Sequence, residues 1–261
     1  MRRTKTRLAS WSCLIVLATG CNKSEPSATD AQGSAAAQGP TREQAEASGK
    51  NVGKLAMATL NYESPHKAYP LRSLKTKDGK PGLSWRVALL PFLGEEALYE
   101  QFKLDEPWDS PNNKPLVAKM PSVYKSPVSK AGAGFTNYLA VATPQSVLAE
   151  DQPVMIKHIT DGTSQTALLL EVNDDRAVPW TKPADFTPDS AQPLTGLGGL
   201  HPKGAFIVGT ASGDVYLVKS SMDPKTFTAM CTRNGDEIIG WDAVRVQADA
   251  PAQSAIPPER K

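Results

Sequence analysis

Apolar residues are concentrated between residues 41 and 243, and their spacing changes from helical in the first part to alternating in the second. Thr41 and Gln44 match a capping box, which marks the start of a helix. Five residues follow at helical spacing: Val52, Leu55, Ala56, Thr59 and Tyr62. This pattern predicts a long N-terminal helix, which Gly49 and Gly53 each weaken by about 1 kcal/mol relative to alanine.

Short, proline-punctuated helices are predicted for residues 84–119. Ser84 can cap the first of them, and residues 95–102 form the second. Ser110 stands in a capping position for a third, over residues 111–119. This part of the chain is therefore expected to be an insertion of short helices and loops.

The second half of the chain is patterned as strands. The predicted strands are residues 136–142, 165–172, 205–210 and 214–218. The last two flank a short turn and form a hairpin. A final helix is predicted to begin after Asp223 and to stop at Asn234 and Gly235. The order of elements indicates an α+β fold, with an N-terminal helix packed on an antiparallel β-sheet, inserted short helices and long loops.

The two ends of the chain are poor in large apolar side chains. Residues 21–40 and 244–261 can bury little surface, so we expect a disordered tether before the folded domain and a disordered tail after it. The predicted domain is residues 41–243.

Residues 1–20 have the layout of a bacterial export signal, with a basic head and a short apolar run. The run is shorter than the roughly 20 apolar residues that span a bilayer. The sequence "LATGC" is similar to a lipobox, in which the cysteine is diacylated and becomes the N-terminus. Ala18 stands where such motifs prefer Leu, Ile or Val. Cys21 is therefore the predicted lipidation site, and an ordinary signal peptide with an unmodified Cys21 is the alternative.

The cysteine count agrees with this interpretation. Cys13 lies in the signal, and a lipidated Cys21 leaves Cys231 without an intramolecular partner. A Cys21–Cys231 disulfide remains open if Cys21 carries no lipid. Removing the four basic residues of the signal leaves 25 Lys and Arg against 27 Asp and Glu. Such a balance gives no electrostatic case for binding nucleic acid.

The histidines give little sign of catalysis or metal binding. His66, His158 and His201 lack the spacing of a metal motif, and we expect no metal and no cofactor. A catalytic grouping of His158 with Asp161 and Thr163 is one interpretation of "HITDGTS". A turn whose side chains bond nearby backbone is favoured. The segment "TGLGGLHPKG" lacks the spacing of a nucleotide-binding loop and is predicted to be a surface loop that needs positive φ.

Four residues are candidates for ligand binding. Trp85, Trp108 and Trp180 can stack on a small solute or a glycan if they line a cleft. His201, in the glycine-rich loop, is the fourth. No catalytic residue is assigned, and the chain is predicted not to be an enzyme.

The segments "LSWRVALLPFLGEEALYEQF", "ITDGTSQTALLLEV" and "GLGGLHPKG" resemble the DUF1559 family of bacterial envelope proteins. That family is related to type IV pilin-like and prepilin-processing-associated proteins. The resemblance covers residues 51–239 and implies a pilin-like fold, with a biochemical role that is not known. Many members begin with a methylated apolar helix, whereas this chain has a lipobox. Ser126 stands where the family usually has a cysteine.

Three functions are ranked in descending order. The first is a lipid-anchored, non-enzymatic envelope domain that contacts the membrane through Cys21 and has other envelope proteins as candidate partners. The second is a lipoprotein that binds a small solute or a glycan, and the third is a hydrolase that uses His158 or His201. Asn22 is not the Asp that retains some lipoproteins at the inner membrane, which favours the outer membrane.

Overall fold

The computed structural model describes residues 39–246. The helices are α1 Arg42–His66, α2 Trp85–Ala88, α3 Glu96–Tyr99, α4 Pro224–Met230 and α5 Trp241–Val244. The strands are β1 Ser73–Lys75, β2 Pro81–Ser84, β3 Phe135–Thr136, β4 Tyr138–Ala140, β5 Ala167–Glu171, β6 Val178–Pro179, β7 Ala205–Thr210 and β8 Val215–Lys219. The signal, Cys21, most of the predicted tether, and residues 247–261 lie outside the described residues.

Helix α1 begins where the capping box predicted. The Gln44 backbone N–H donates to Thr41 Oγ1 (3.2 Å), and the Thr41 N–H donates to Gln44 Oε1 (2.9 Å). These two bonds satisfy donors that a helix start leaves unpaired. The helix ends at His66, and Lys67 turns the chain away in a left-handed conformation, with φ 58°. No helix within residues 39–246 has both the length and the apolar content needed to cross a bilayer.

A four-stranded antiparallel sheet with the order β4-β5-β7-β8 forms the centre of the fold. Its hairpin, β7 and β8, confirms the prediction for residues 205–210 and 214–218 to within one residue. In the register of the sheet, Tyr138 pairs with Glu171 across β4 and β5. Two smaller antiparallel pairs, β1-β2 and β3-β6, lie outside this sheet.

The two faces of the sheet are covered by different helices. Ile207 and Leu169 belong to the apolar cluster that includes Val52 of α1, and the inserted short helices join the same cluster. The alternate strand residues, such as Phe206 and Val208, belong to a second cluster with α4. This alternation is the two-residue period of a strand. The α+β prediction, with an N-terminal helix packed on an antiparallel sheet, is confirmed.

Some predicted elements differ from the observed ones in length or type. The third inserted helix is a 3₁₀ helix, Lys114–Lys119, although the Ser110 hydroxyl accepts the Asn113 N–H as its capping position predicted. The strand predicted over residues 136–142 is divided into β3 and β4. Helix α4 ends at Met230, before the predicted stop at Asn234 and Gly235.

The folded part continues past residue 243. Val244 is buried, and Arg245 forms an antiparallel bridge with Val218 of β8. The Val246 N–H donates to the Leu217 carbonyl oxygen at 2.7 Å. The chain therefore leaves the described region while it is hydrogen-bonded to the edge of the sheet.

Candidate functional site

The most concentrated group of polar side chains lies inside the domain, around the carboxylate of Glu171. Ser48 Oγ and Ser126 Oγ donate to Glu171 Oε1 at 2.5 and 2.6 Å. His201 Nε2 lies 2.5 Å from Glu171 Oε2. The Tyr138 hydroxyl lies 2.7 Å from Ser48 Oγ. We call these five residues the Glu171 cluster.

Each member of the Glu171 cluster comes from a different segment. Ser48 lies on the second turn of α1, Tyr138 on β4 and Glu171 at the end of β5. Ser126 and His201 come from loops. Ser126 stands where the resemblance to the family places a cysteine. The cluster therefore joins the N-terminal helix and two loops to the central sheet.

The positions of the hydrogen atoms in the cluster follow from simple counting. Ser48 has one hydroxyl proton, which it donates to Glu171, so the Tyr138 hydroxyl donates to Ser48. Burial raises the pKa of Tyr138, and the negative charge of Glu171 raises it further, so the phenol keeps this proton. His201 Nδ1 is buried without a hydrogen-bond partner in the structure.

All five side chains of the Glu171 cluster are buried, with at most 5% of the residue surface exposed. A buried carboxylate is stabilised by the donors around it, and losing them leaves an unpaired charge in a poorly hydrated interior. The arrangement therefore holds the helix, sheet and loops together.

A second buried charge pair lies under the inserted helices. Arg86 donates to Asp185 Oδ1 at 2.9 Å, and its other nitrogens donate to Ser84 Oγ and to the Tyr138 carbonyl oxygen. Burial raises the pKa of Asp185, while the Arg86 charge and the hydrogen bond from Trp85 oppose that rise. Burial lowers the pKa of Arg86, and the negative charge of Asp185 opposes that fall. Through these bonds, Arg86 connects α2 to β2, to β4 and to the loop that carries Asp185.

The three candidate tryptophans do not line a common cleft with exposed rings. Trp85 and Trp180 are fully buried, and their indole N–H groups donate to Asp185 and to the Val117 carbonyl oxygen. Neither has a free ring face on which a solute can stack, so the binding role predicted for these two residues disagrees with their placement. Trp108 is half-buried, with Lys182 Nζ 5.8 Å from the ring centre.

His158 and His201 occupy opposite environments. His158 is exposed, and its Nδ1 accepts the Met155 N–H at 3.2 Å. The Asp161 carboxylate accepts the N–H groups of Gly235 and Asp236, both at 2.8 Å. The favoured interpretation placed the partners of Asp161 in nearby backbone, and this is wrong, because the two donors lie 74 and 75 residues away. These donors belong to the loop after α4, so the turn at Asp161 is hydrogen-bonded to that loop.

The glycine-rich loop has the positive φ values that its composition predicted. Gly196, Gly198 and Gly204 have φ of 92°, 80° and 67°. A Cβ on Gly198 would lie 2.7 Å from the Gly204 carbonyl oxygen, so the loop also needs glycine for space. This loop carries His201 inward to the Glu171 cluster.

Sequence reasoning missed Glu171, Arg86 and Asp185. Two of them carry a visible signal, because Glu171 ends the apolar run "ALLLE" and Arg86 interrupts "LSWRVALL". A charged residue within a buried segment indicates a partner inside the fold. Asp185 has no such signal, since it lies in a polar stretch typical of a loop.

The comparison with protein families matches residues 42–238 to the family described as "Protein of unknown function (DUF1559)". The chain belongs to the DUF1559 family. The match begins at the first residue of α1 and ends in the loop before α5, so the DUF1559 region includes every member of the Glu171 cluster. The comparisons with curated proteins and with solved structures found no match.

Proposed function

We propose that this protein is a lipid-anchored domain of the cell envelope that binds other envelope proteins and does not catalyse a reaction. The observation that carries the non-catalytic part of the proposal is the burial of the Glu171 cluster. Its acid, imidazole and hydroxyl groups are the types that a hydrolase uses, yet they are occupied with one another under the loops. They stabilise the fold in this arrangement.

The proposed anchor rests on the sequence before the domain. Cys21 follows the short apolar run, and residues 22–41 separate it from the capped start of α1. A flexible chain of about 20 residues has an r.m.s. reach of roughly 25 Å. Two acyl chains give a stable membrane anchor, whereas one is marginal. Asn22 favours delivery to the outer membrane.

Metabolic labelling with an alkyne fatty acid tests the anchor. We expect labelling of the wild type and of a Cys13→Ala control, and no labelling of Cys21→Ala. Wild-type protein is expected in the outer-membrane fraction of a density gradient, and Cys21→Ala in the soluble fraction. An unmodified N-terminus in the wild type, or an undiminished label in Cys21→Ala, would contradict the proposal.

A fluorophosphonate probe tests the absence of a serine hydrolase, because it labels activated serine nucleophiles. We expect Ser48 and Ser126 to stay unlabelled in the native protein. Labelling of either serine that heat denaturation abolishes would overturn the non-catalytic part of the proposal.

Cross-linking in intact cells tests the binding part, and discrete adducts with envelope proteins are expected. Protein that remains uncross-linked with reagents of several lengths would contradict binding.

A further inference from the structure

An apolar groove of about 300 Å³ lies between the end of α1 and strand β1. Its walls include Tyr62, His66, Tyr69, Leu71, Leu74 and Lys75. It is unrelated to the Glu171 cluster, which lies at the other end of α1. Concave, largely apolar surfaces with a few polar groups are typical ligand sites.

Aromatic rings form one wall of this groove. The rings of Tyr62 and His66 are stacked, with centroids 3.9 Å apart and planes within 8°. Phe92 is not among the residues that line the groove, but its ring meets the Tyr62 ring edge-on at 5.5 Å and supports it. Grooves lined by aromatic side chains bind proline-rich segments, which are extended before binding and lose little entropy.

The chain leaves the described region in the direction of this groove. Arg245 pairs antiparallel with Val218, and Val246 bonds Leu217, so the chain runs towards the turn between β7 and β8. The Tyr69 hydroxyl, on the groove wall, donates to the Ala211 carbonyl oxygen in that turn at 3.1 Å. The turn therefore connects the exit of the chain to the groove.

The remaining chain is long enough to reach the groove. The turn lies roughly 15 Å beyond Leu217 along the hairpin, at about 3.3 Å per residue. Residues 247–255 span up to about 30 Å when extended. The exposed apolar side chains of Met57 and Val215 lie near this route, 49% and 36% exposed, where the helix passes the turn and β8.

The end of the chain has the composition that the groove fits. Residues 256–258 are Ile-Pro-Pro, and Arg260 and Lys261 follow. On the rim, Lys75 contacts Glu150 and Asp151, and the Asp151 side chain is 82% exposed. An exposed carboxylate can pair with a basic residue after the prolines, with a small gain typical of surface ion pairs.

We propose that residues 256–258 of the C-terminal segment bind in the groove of Tyr62, His66 and Tyr69 on the same chain. The short connection gives an effective concentration on the order of millimolar. An interaction that is weak for a free peptide is therefore sufficient to occupy the groove within one molecule.

Histidine NMR of the mature chain in detergent tests the proposal, because the three histidines report on separate places. We expect the ring signals of His66 to shift on Ile256→Asp, since a charge is costly in an apolar groove. The matched control Ala252→Asp carries the same charge outside the Ile-Pro-Pro segment and is expected to leave His66 unchanged. His201 is the interior reference and shifts in neither variant.

A peptide of residues 254–261 added to Ile256→Asp is expected to return the His66 signals towards their wild-type positions. His66 signals that are identical in the wild type and Ile256→Asp overturn the proposal. Wild-type His66 signals that change with protein concentration also overturn it, because they indicate that the segment of a second copy occupies the groove.

Discussion

Glu171 joins several separate parts of the fold through its carboxylate. Its two oxygens accept hydrogen bonds from a helix residue and from two loop residues. These hydrogen bonds satisfy buried polar groups that water cannot reach. Replacing Glu171 leaves three buried donors without partners. An unpaired buried donor costs more free energy than an intact hydrogen bond contributes.

We expect Glu171→Ala to lower the free energy of unfolding by about 3–5 kcal/mol, the range found when one partner of a buried charged group is removed. Urea denaturation followed by circular dichroism measures this change. Glu150→Ala is the control, because Glu150 forms partly exposed ion pairs with Arg72 and Lys75 and is expected to cost at most about 1 kcal/mol. Equal stability losses in the two variants would contradict the assigned role of Glu171.

At the scale of single residues, the property that the sequence predicts least well is whether a side chain is buried or exposed. Trp85 and Trp180 were candidates for an exposed stacking surface, and both are in the core. Tryptophan has an apolar body and one polar group, so its sequence context does not distinguish a buried ring from a ligand-binding one. Ser48 also carries no signal, because a serine on a helix face is usually exposed.

Among the elements, α1 and β7 approach each other closely where β7 carries a glycine. A Cβ on Gly209 would lie 2.7 Å from Val52 Cγ1, with Ala56 Cβ next to it. Such a distance requires the Val52 side chain, the helix or the strand to shift. In contrast, a Cβ on Gly53 would lie at an ordinary 3.5 Å from Val215 Cγ2.

These distances predict opposite effects for two alanine substitutions on the same interface. Gly209→Ala is expected to destabilise the domain by about 1–3 kcal/mol through overpacking. Gly53→Ala is expected to stabilise it by about 1 kcal/mol, because alanine favours the helix and the space is available. Thermal unfolding of the two variants and the wild type measures the sign of each change in stability. A Gly209→Ala variant that is more stable than the wild type would contradict the close packing.

Elements with strong local signals were predictable, and those that depend on tertiary contacts were less so. The capping box at Thr41 located the start of α1, and the turn at Gly213 located the hairpin. The segment after Ser110 satisfies helix rules but is a 3₁₀ helix, whose Leu116 is buried in the first apolar cluster. Helix α4 ends early, at Met230, and the loop that follows it is hydrogen-bonded to Asp161.

At the scale of the whole molecule, the described domain is stabilised by packing on both faces of its central sheet. One apolar cluster joins the sheet to α1 and the inserted helices, and the other joins it to α4. Cys231 belongs to the second cluster and is a free, buried thiol, and burial raises its pKa. A buried thiol of this kind is protected from alkylation and oxidation.

We therefore expect the unfolding midpoint of the mature protein to be independent of reductant. Cys231 is expected to resist iodoacetamide in the native state and to react after denaturation, which mass spectrometry of the peptide detects. The Cys21→Ala variant is the control, because Cys231 is then the remaining cysteine of the mature chain. A midpoint that reductant lowers in the wild type but not in Cys21→Ala would indicate a Cys21–Cys231 disulfide.

The bond between Ser48 and Glu171 has a mechanical consequence. Any pulling force on the N-terminal segment enters the domain at the start of α1, and Ser48 is among the first helix residues to be fixed to the sheet. The Ser48 hydroxyl transmits this force to Tyr138 of β4 and Glu171 of β5, which are both buried. When the protein is pulled at its N-terminal segment, the buried bonds of the Glu171 cluster are thus expected to bear the force before α1 separates from the sheet.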